Sequence, residues 1–581
     1  MKKVNENREE DEYMQNIPIG ISNFETIRTN DYYYVDKTEM IHELLNGNQN
    51  AVTLITRPRR FGKTLAMSML ANFFDIRKDS YHLFKELKIL QKGVLCKCWM
   101  NQYPTIFLTF KDVNGSDYEE ARESLRCLIA DLYNEYKYVI DDSVSANDQD
   151  LFYALSNVMR ENPSDIVLGR SLSLLMKLLS NYYKKPVILL LDEYDVPLAK
   201  ANTKGYYDKM LNLIRMMMST AFKDNLYLKF AVITGCLQIS KESIFTGTNN
   251  FVVDNIFQSH LDEYFGFTDE EVIQLLEDTG LANELDTIKK WYDGYHFGSK
   301  DIYCPWDVLN YIYDKQKNPN TAYPRSYWKN TSDNEIIHSF IQAKSENIRM
   351  KLEKLMDGEK IIQIIDGNLT YDFETCSEDN FWSILYLTGY LTRCNEDNLS
   401  EEEKRKLRES NALALKIPNA EIKEIYQDTI LKWFKETVVS WNLNKLYEAV
   451  WNKDVEVITE ELNRVLLKTI SYQDYKEDFY HAFLAGIFTG AGYNVESNRE
   501  HGIGRSDIVI TNPETYDVVI FEVKHVKQYS KIEQGCDKAI EQIQSRKYSE
   551  DFKLSHKKIL EYGICFYKKT CLVKCIDKKV G

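Results

Sequence analysis

The chain has 581 residues, roughly four times the ~150 at which domains begin to be counted, so a peptide hormone or a small binding module is excluded. Hydrophobic residues at 44%, charged residues at 28%, 24 glycines and 11 prolines describe a globular chain and exclude collagen-like or long disordered architectures. A net charge of −15 argues against a protein that coats nucleic acid along its whole surface. Residues 524–581 nevertheless carry 14 Lys/Arg against 7 Asp/Glu, so one end can face a polyanion.

The eleven cysteines contain no C-x-x-C pair, which leaves a zinc ribbon without support and favours free thiols in a reducing compartment. Residues 1–12 are charged and lack an apolar h-region, so no secretory signal is expected. No 18 apolar residues run together, so no membrane span is expected, and the predicted location is the cytoplasm.

In chain order, residues 51–56 (Ala-Val-Thr-Leu-Ile-Thr) predict a short buried strand that breaks at Arg57-Pro58 and passes into a helix from Lys63. Residues 103–110 predict a second strand, and 118–138 and 171–183 predict helices. Residues 186–191 form an apolar strand that ends in Asp192-Glu193, and 228–234 another that ends at Gly235. Apolar strands alternating with helices predict a parallel α/β sheet.

After about residue 266 strands become scarce. A helix is predicted over 267–276 with Thr268 as its cap and acids in its first turn. Residues 291–306 are aromatic and turn-rich, and 333–467 read as mainly helical, with the charged run 400–409 as a solvated face. Near residue 470 the pattern changes again: a helix over 474–488, a strand over 507–510, a turn at Asn512-Pro513, a returning strand over 518–526, a helix over 533–548 and a last strand over 564–567. The predicted division is a P-loop domain over 1–265, a helical or winged-helix-like lid over 266–340, a helical connector over 341–468 and a small α-β-β-α-β domain over 469–581.

Two constellations carry chemistry. The first strand is followed by Arg57-Pro-Arg-Arg-Phe-Gly-Lys-Thr64, in which Gly62 lets the backbone approach phosphates at a helix N-terminus. Lys63 can bridge the β- and γ-phosphates of ATP, and the Thr64 hydroxyl can hold Mg²⁺. The first glycine of the general phosphate-loop pattern is replaced by Arg57. Asp192 ends an apolar strand where it can coordinate Mg²⁺, Glu193 stands where a carboxylate would polarise the attacking water, and Thr234 can sense the γ-phosphate. The candidate nucleotide set is Arg60, Phe61, Gly62, Lys63, Thr64, Asp192 and Thr234. Two readings of Arg57, Arg59 and Arg60 stand side by side: phosphate contacts, or solvation of the loop.

In the last block, alternation along a strand puts Glu522 and Lys524 on one face and Phe521 and Val523 on the other. Folding the hairpin about Glu514 brings Asp507 opposite residue 521, one position from Glu522. Two carboxylates suit a hard cation, Mg²⁺ or Mn²⁺, and Lys524 can orient the attacking water. The bland alternative is a hairpin edge bearing ordinary charges. The neighbouring helix with Glu477, Tyr480 and His481, the Gly502–Arg505 loop, Gln542 and the positive tail favour a site over that reading. His481 is expected to act as a hydrogen-bonding helix residue rather than a ligand; Glu477 is either a further ligand or a solvated glutamate.

These motifs resemble the bacterial AAA-ATPase-like family through Ile17-Pro-Ile-Gly-Ile21, Tyr34-Val-Asp-Lys-Thr38, the loop ending at Thr64, Leu191-Asp-Glu-Tyr-Asp195 and Trp291-Tyr-Asp-Gly-Tyr295. Tyr480-His481, Ser497-Asn-Arg-Glu500, Gly504-Arg-Ser-Asp507 and Glu522-Val-Lys524 resemble a C-terminal PD-(D/E)XK nuclease domain. The resemblance implies nucleotide binding by Gly62, Lys63 and Thr64, Mg²⁺ and water roles for Asp192 and Glu193, and nuclease chemistry by Asp507, Glu522 and Lys524. It further implies a STAND-like switch with the segment after residue 266 as its lid, and an association with mobile elements or defence.

The expected function is ATP-gated, metal-dependent cleavage of nucleic acid, DNA first among the candidates, with Arg505 and nearby lysines on the backbone. Two rivals are a C-terminal module that binds DNA or protein without cutting, and a signalling scaffold in which ATP drives homo-oligomer assembly.

Overall fold

The structure, a computed structural model, describes residues 16–46, 52–157, 162–239, 251–328, 346–367, 378–395, 397, 399–410, 412–439, 443–467, 477–501, 504–553 and 558–576. They fall into two compact units, one within Met1–Ser332 plus Ile362–Ile422 and the other within Asp333–Ile361 plus Lys423–Gly581. The α/β class holds for both.

The first unit is built on a five-stranded parallel sheet: β1 (Val52–Thr56), β2 (Thr105–Thr109), β3 (Val187–Asp192), β4 (Leu228–Gly235) and β5 (Phe251–Asp254), in the order β2-β3-β4-β1-β5. Every residue of β1 and β3 is buried, as expected of aliphatic strands covered by helices on both faces. The Lys63–Phe74 helix packs on β2 and β3, and the predicted 171–183 helix appears as Ser171–Tyr183. Strand β5 was not expected from the sequence. Its four residues are too few for a periodic signal, and pairing to β1 from Val52↔Phe251 to Ile55↔Asp254 creates it.

The order matters for the chemistry. Because β4 lies between β1 and β3, the phosphate loop after β1 and Asp192 at the end of β3 flank the end of β4, where Thr234 stands.

Beyond the sheet, Thr268 caps the Asp269–Asp278 helix in a full capping box with Glu271. The hairpin of β6 (Tyr295–Phe297) and β7 (Lys300–Ile302) and the Pro305–Lys317 helix follow. Ile17 of the leader joins the core of this region with Val272, Leu276, Tyr292 and Tyr311. The described residues of 333–467 are mainly helical, as expected, with one addition that the sequence did not announce. They contain a three-stranded sheet of β8 (Ile361–Ile364), β9 (Thr392–Arg393) and β10 (Ala412–Lys416), ordered β8-β10-β9. Ala-Leu-Ala-Leu-Lys has high helix propensity, and cross-strand pairing overrides it. The charged run predicted as a solvated face is the Glu401–Ser410 helix.

The second unit holds a five-stranded sheet of β11 (Asn494–His501), β12 (Gly504–Thr511), β13 (Val518–His525), β14 (Ile559–Tyr567) and β15 (Thr570–Cys575), in sequential order. Only β13 and β14 are parallel, joined by the Ile532–Arg546 helix. The predicted α-β-β-α-β block is thus α-β-β-β-α-β-β. Strand β11 escaped notice because Asn-Val-Glu-Ser-Asn-Arg-Glu-His carries no apolar alternation. Strand β15 is an edge closed by the Val455–Leu467 helix: Asn463 donates to Cys571 O and accepts from Cys571 N, as a neighbouring strand would. Among the described residues no helix is long and apolar enough to cross a membrane.

Candidate active sites

The phosphate loop begins with a correction. Arg57 neither faces phosphate nor solvates the loop; its side chain is fully buried. Its guanidinium donates to Asp254 Oδ1 at 2.6 Å, to Thr56 O and Asp254 O at 2.9 Å, and to Leu261 O at 3.2 Å, between the rings of Phe265 and Phe297. The arginine that replaces the first loop glycine therefore pins edge strand β5 and the segment after it. Arg57→Ala leaves the buried Asp254 carboxylate with His260, 3.6 Å away, in place of the guanidinium and is expected to cost about 3–5 kcal/mol, read as an earlier first transition in urea unfolding.

Arg60 (φ 71) and Gly62 (φ 82) both lie in the left-handed region, so the loop arches tightly around Phe61. The Phe61 side chain is buried against Tyr295 and Phe297, ring centroids 4.9 and 5.1 Å away, so what it can offer a nucleotide is its main chain. Gly62 caps the Lys63–Phe74 helix, whose first residue donates its ammonium to Arg57 O at 2.9 Å and Pro58 O at 2.8 Å. The Thr64 hydroxyl donates to Asp192 Oδ2 at 2.8 Å, Thr109 approaches the same oxygen at 3.4 Å, and Thr234 donates to Oδ1. Asp192, wholly buried, thus gathers hydroxyls from three elements around two oxygens.

Glu193 takes a left-handed φ of 53, a strained setting for a side chain of this size. Its carboxyl is raised above the ordinary range, first by burial and then by Asp192 and Asp195, with Lys63 and Arg59 opposing. The next two residues were not singled out from the sequence as working parts. Tyr194 donates to Leu237 O and accepts from Ile239 N, and Asp195 Oδ2 accepts from Cys236 N and Leu237 N. They clamp the loop after β4, and a Cβ at Gly235 would lie 2.7 Å from both. The signal was present: the Asp-Glu-Tyr-Asp motif runs past the strand end.

The loop is also gripped by the region beyond residue 290. Arg60 stacks on Trp306 at 4.2 Å, and Pro58 and Trp328 crowd Gly389. Gly294, at φ 104, lets Pro418 O approach where a side chain would stand, and Asn419 donates to Asp293 O. Asp307 and Glu421 are wholly buried, and Asp307 raises the Glu421 carboxyl, while Glu421 Oε1 accepts from Tyr327 N and Trp328 N at 2.6 and 2.9 Å.

Burial pushes Asp307 up to about 6 and Glu421 well above its usual value, because two apposed buried carboxyls need a proton between them. The unfolded chain loses these protons near pH 4, so between about pH 4 and pH 6 and above it binds fewer than the folded chain, and stability falls as pH rises. Glu421→Gln supplies an N–H in place of the shared proton. Thermal unfolding should find it more stable than wild type at pH 8 by roughly 1–3 kcal/mol, with no such advantage near pH 4.

In the second unit, β12 and β13 pair Ile508↔Phe521 and Ile510↔Val519, one step from the register expected by folding about Glu514. The Asn512–Asp517 turn, closed by Asn512 N to Asp517 O, takes up the difference, and Asp507 falls across from Glu522. Glu522 is fully buried, and Lys524 donates to its Oε1 and to Val523 O, both at 2.9 Å. On the opposite face Phe521 packs on Tyr562 and Phe488. Asp507 Oδ2 accepts from Val523 N at 2.8 Å and lies 3.4 Å from His481 Nε2. Its carboxyl sits below the ordinary range: burial opposes this, but His481, the Val523 amide and Lys524 outweigh it.

Gln542 donates to Tyr548 OH, and the fields of Glu522, Asp507 and Lys524 all reach that buried tyrosine, which sequence reasoning had not named. The side chains of Glu477 and Arg505, and Gly502, lie outside the described residues. Among the described residues no group of three or more His, Cys, Asp or Glu forms a metal cage; the site offers two carboxylates and a lysine.

Residues 18–245 match the family model described as predicted AAA-ATPase, and residues 475–575 match that of the PD-(D/E)XK nuclease superfamily. An uncharacterized protein in the vnfD 5′ region of Azotobacter chroococcum mcd 1 is 23% identical over 564 residues, 95% of this chain and 96% of that protein. The two domains support ATPase and nuclease-type function, with ATP, divalent metal and nucleic acid as the associated cofactors and substrate. The chain thus combines an AAA-ATPase-like domain with a C-terminal domain of the PD-(D/E)XK nuclease superfamily, the architecture its motifs resemble.

Proposed function

We propose that this protein is an ATP-gated, metal-dependent nuclease acting on DNA. The observation that carries the reading is the convergence of Asp507, Glu522 and Lys524 in a buried sheet, with Lys524 bonded to Glu522. Two carboxylates in that setting are costly unless they hold something.

At the nucleotide site the residues fit ATP and Mg²⁺. Asp192 with the Thr64 hydroxyl is a hard oxygen pair of the kind Mg²⁺ takes. Held there, a Mg²⁺ ion would supply charge neutralisation at the phosphates. Lys63 moves from the Arg57 and Pro58 carbonyls onto phosphate oxygen, exchanging two neutral acceptors for a charged one. Glu193 orients the attacking water, and Thr234 reads the γ-phosphate through its bond to Asp192.

Gating follows from what grips the loop. Phe61 and Arg60 are held by Tyr295 and Trp306, Pro58 and Trp328 both close on Gly389, and Trp328 is tied through Glu421 to the start of the Ala420–Val439 helix. That helix begins in the first unit and ends in the second. Residues 266–340 are the lid in this reading, and the nuclease domain spans 469–581.

At the nuclease site Asp507 and Glu522 fit a Mg²⁺ or Mn²⁺ ion, which supplies Lewis acidity at the phosphate and a more acidic water. Lys524 orients that water, while Arg505 and the lysines of residues 524–581 hold the backbone. A defence or mobile-element role is consistent with a nuclease kept silent until ATP binds. The test is cleavage of linear and nicked DNA by the full chain in Mg²⁺ or Mn²⁺, with and without ATP. Metal-dependent cutting that ATP changes is expected; salt-sensitive retention of DNA without cutting in any condition overturns the nuclease in favour of a binding module.

A further inference from the structure

We propose that His481 is the positioning residue of the nuclease site: it fixes the Asp507 carboxylate so that Oδ1 is presented to the divalent cation. The inference rests on the nuclease reading and adds a part that the Asp-Glu-Lys set does not contain.

A carboxylate turns easily about its last bond, because that torsion has broad, shallow wells. Asp507 therefore needs something to choose which oxygen faces the reaction. The Val523 amide donates to Oδ2 at 2.8 Å, and His481 Nε2 lies 3.4 Å from the same oxygen. With the Val523 N–H bonded to Oδ2 and the imidazole within ion-pair distance of the same oxygen, Oδ1 is the oxygen left to the cation. His481 is 8% exposed and Asp507 9%, so little water competes for the contact.

The helix that carries His481 is itself clamped on both sides of it. The Tyr480 ring stacks on Phe566 at 4.0 Å and 13°, and its hydroxyl donates to Lys568 O at 2.9 Å, tying the Glu477–Gly490 helix to the β14–β15 hairpin. Two turns later Phe488 packs on Phe521, the neighbour of Glu522, with centroids 5.6 Å apart. The ring of His481 is thus held by the fold rather than by the chance rotamer of a surface residue. This explains why Tyr-His occurs as a pair here: the first member anchors, and the second orients. Outer partners that orient a metal ligand typically change affinity or activity by about 10- to 100-fold when removed.

The test uses the full chain and Mn²⁺ alone as the probe, with affinity read by electron paramagnetic resonance, followed by DNA cleavage kinetics. His481→Leu should weaken Mn²⁺ binding and lower kcat, each by about tenfold or more, while KM for DNA stays within about twofold. His481→Gln puts an amide nitrogen close to the place of Nε2 and should stay within about threefold of wild type in both readouts. His481→Asn, whose amide reaches only the Nδ1 position, should behave like the leucine variant; it decides the matter if the leucine protein fails to fold. Wild-type Mn²⁺ affinity and kcat in a folded leucine or asparagine variant overturn the proposal, as does a glutamine variant no better than leucine. A wild-type chain that neither binds Mn²⁺ nor cuts DNA removes the nuclease reading itself, a different outcome from loss confined to the variants.

Discussion

Glu522→Gln is expected to lower metal-dependent DNA cleavage by about 10²- to 10⁴-fold while leaving the sheet intact. The glutamine keeps the shape and the oxygen that accepts from Lys524, but removes the negative charge on which a cation depends. Lys524→Ala is the poorer test. It leaves Glu522 buried without its cation, and a loss of about 3–5 kcal/mol of stability would confuse the result. Gel-based cleavage rates, with a thermal melt of each protein, separate chemistry from unfolding. Retention of DNA by the glutamine variant at low salt, falling steeply as salt rises, is also expected, since its phosphate contacts come from other residues. A variant that cuts as fast as wild type would move the cleavage chemistry elsewhere.

The second large effect belongs to Lys63. The residue is only 4% exposed, and its ammonium satisfies two loop carbonyls. Lys63→Met keeps the apolar stem and loses the charge that would meet phosphate. A charge-assisted hydrogen bond contributes about 1.5–3 kcal/mol, so loss of one should lower ATP affinity by roughly 10- to 150-fold. Equilibrium binding of a fluorescent ATP analogue measures this directly. If ATP gates the nuclease, the same variant keeps its ATP-free cleavage rate and loses the response to ATP. A full ATP response at saturating nucleotide would mean that Lys63 binds without signalling, and normal affinity would remove it from the phosphate site.

The chemistry was legible because it sits where strands end. An apolar run followed by Gly-Lys-Thr, and another followed by Asp-Glu, declare a loop and two acids at the C-terminal edge of a sheet, and the structure brings Thr64, Thr234 and Asp192 into direct contact there. The hairpin was read to within one residue: alternation settled which face Glu522 and Lys524 share, but the length of the Asn512–Asp517 turn settled the register. Alternation is a local property, whereas register depends on how a turn closes.

Arg57 is the sharpest failure of local reading. In sequence it is one of three arginines in a phosphate loop; in the fold it is a buried strut for a strand almost 200 residues away. Its role is fixed by a partner that has no sequence signal of its own, the four-residue β5. Strands β11 and β15, the acid pair Asp307–Glu421 and the contact between His481 and Asp507 share that character. By itself the sequence determined the fold class and singled out two candidate constellations with their acids and lysines, because covalent order and side-chain period are enough to put those groups at strand ends. Only the tertiary structure decided which arginine is structural, which oxygen of Asp507 accepts from the Val523 amide, and what holds the phosphate loop, because each rests on desolvation and contact between segments far apart along the chain.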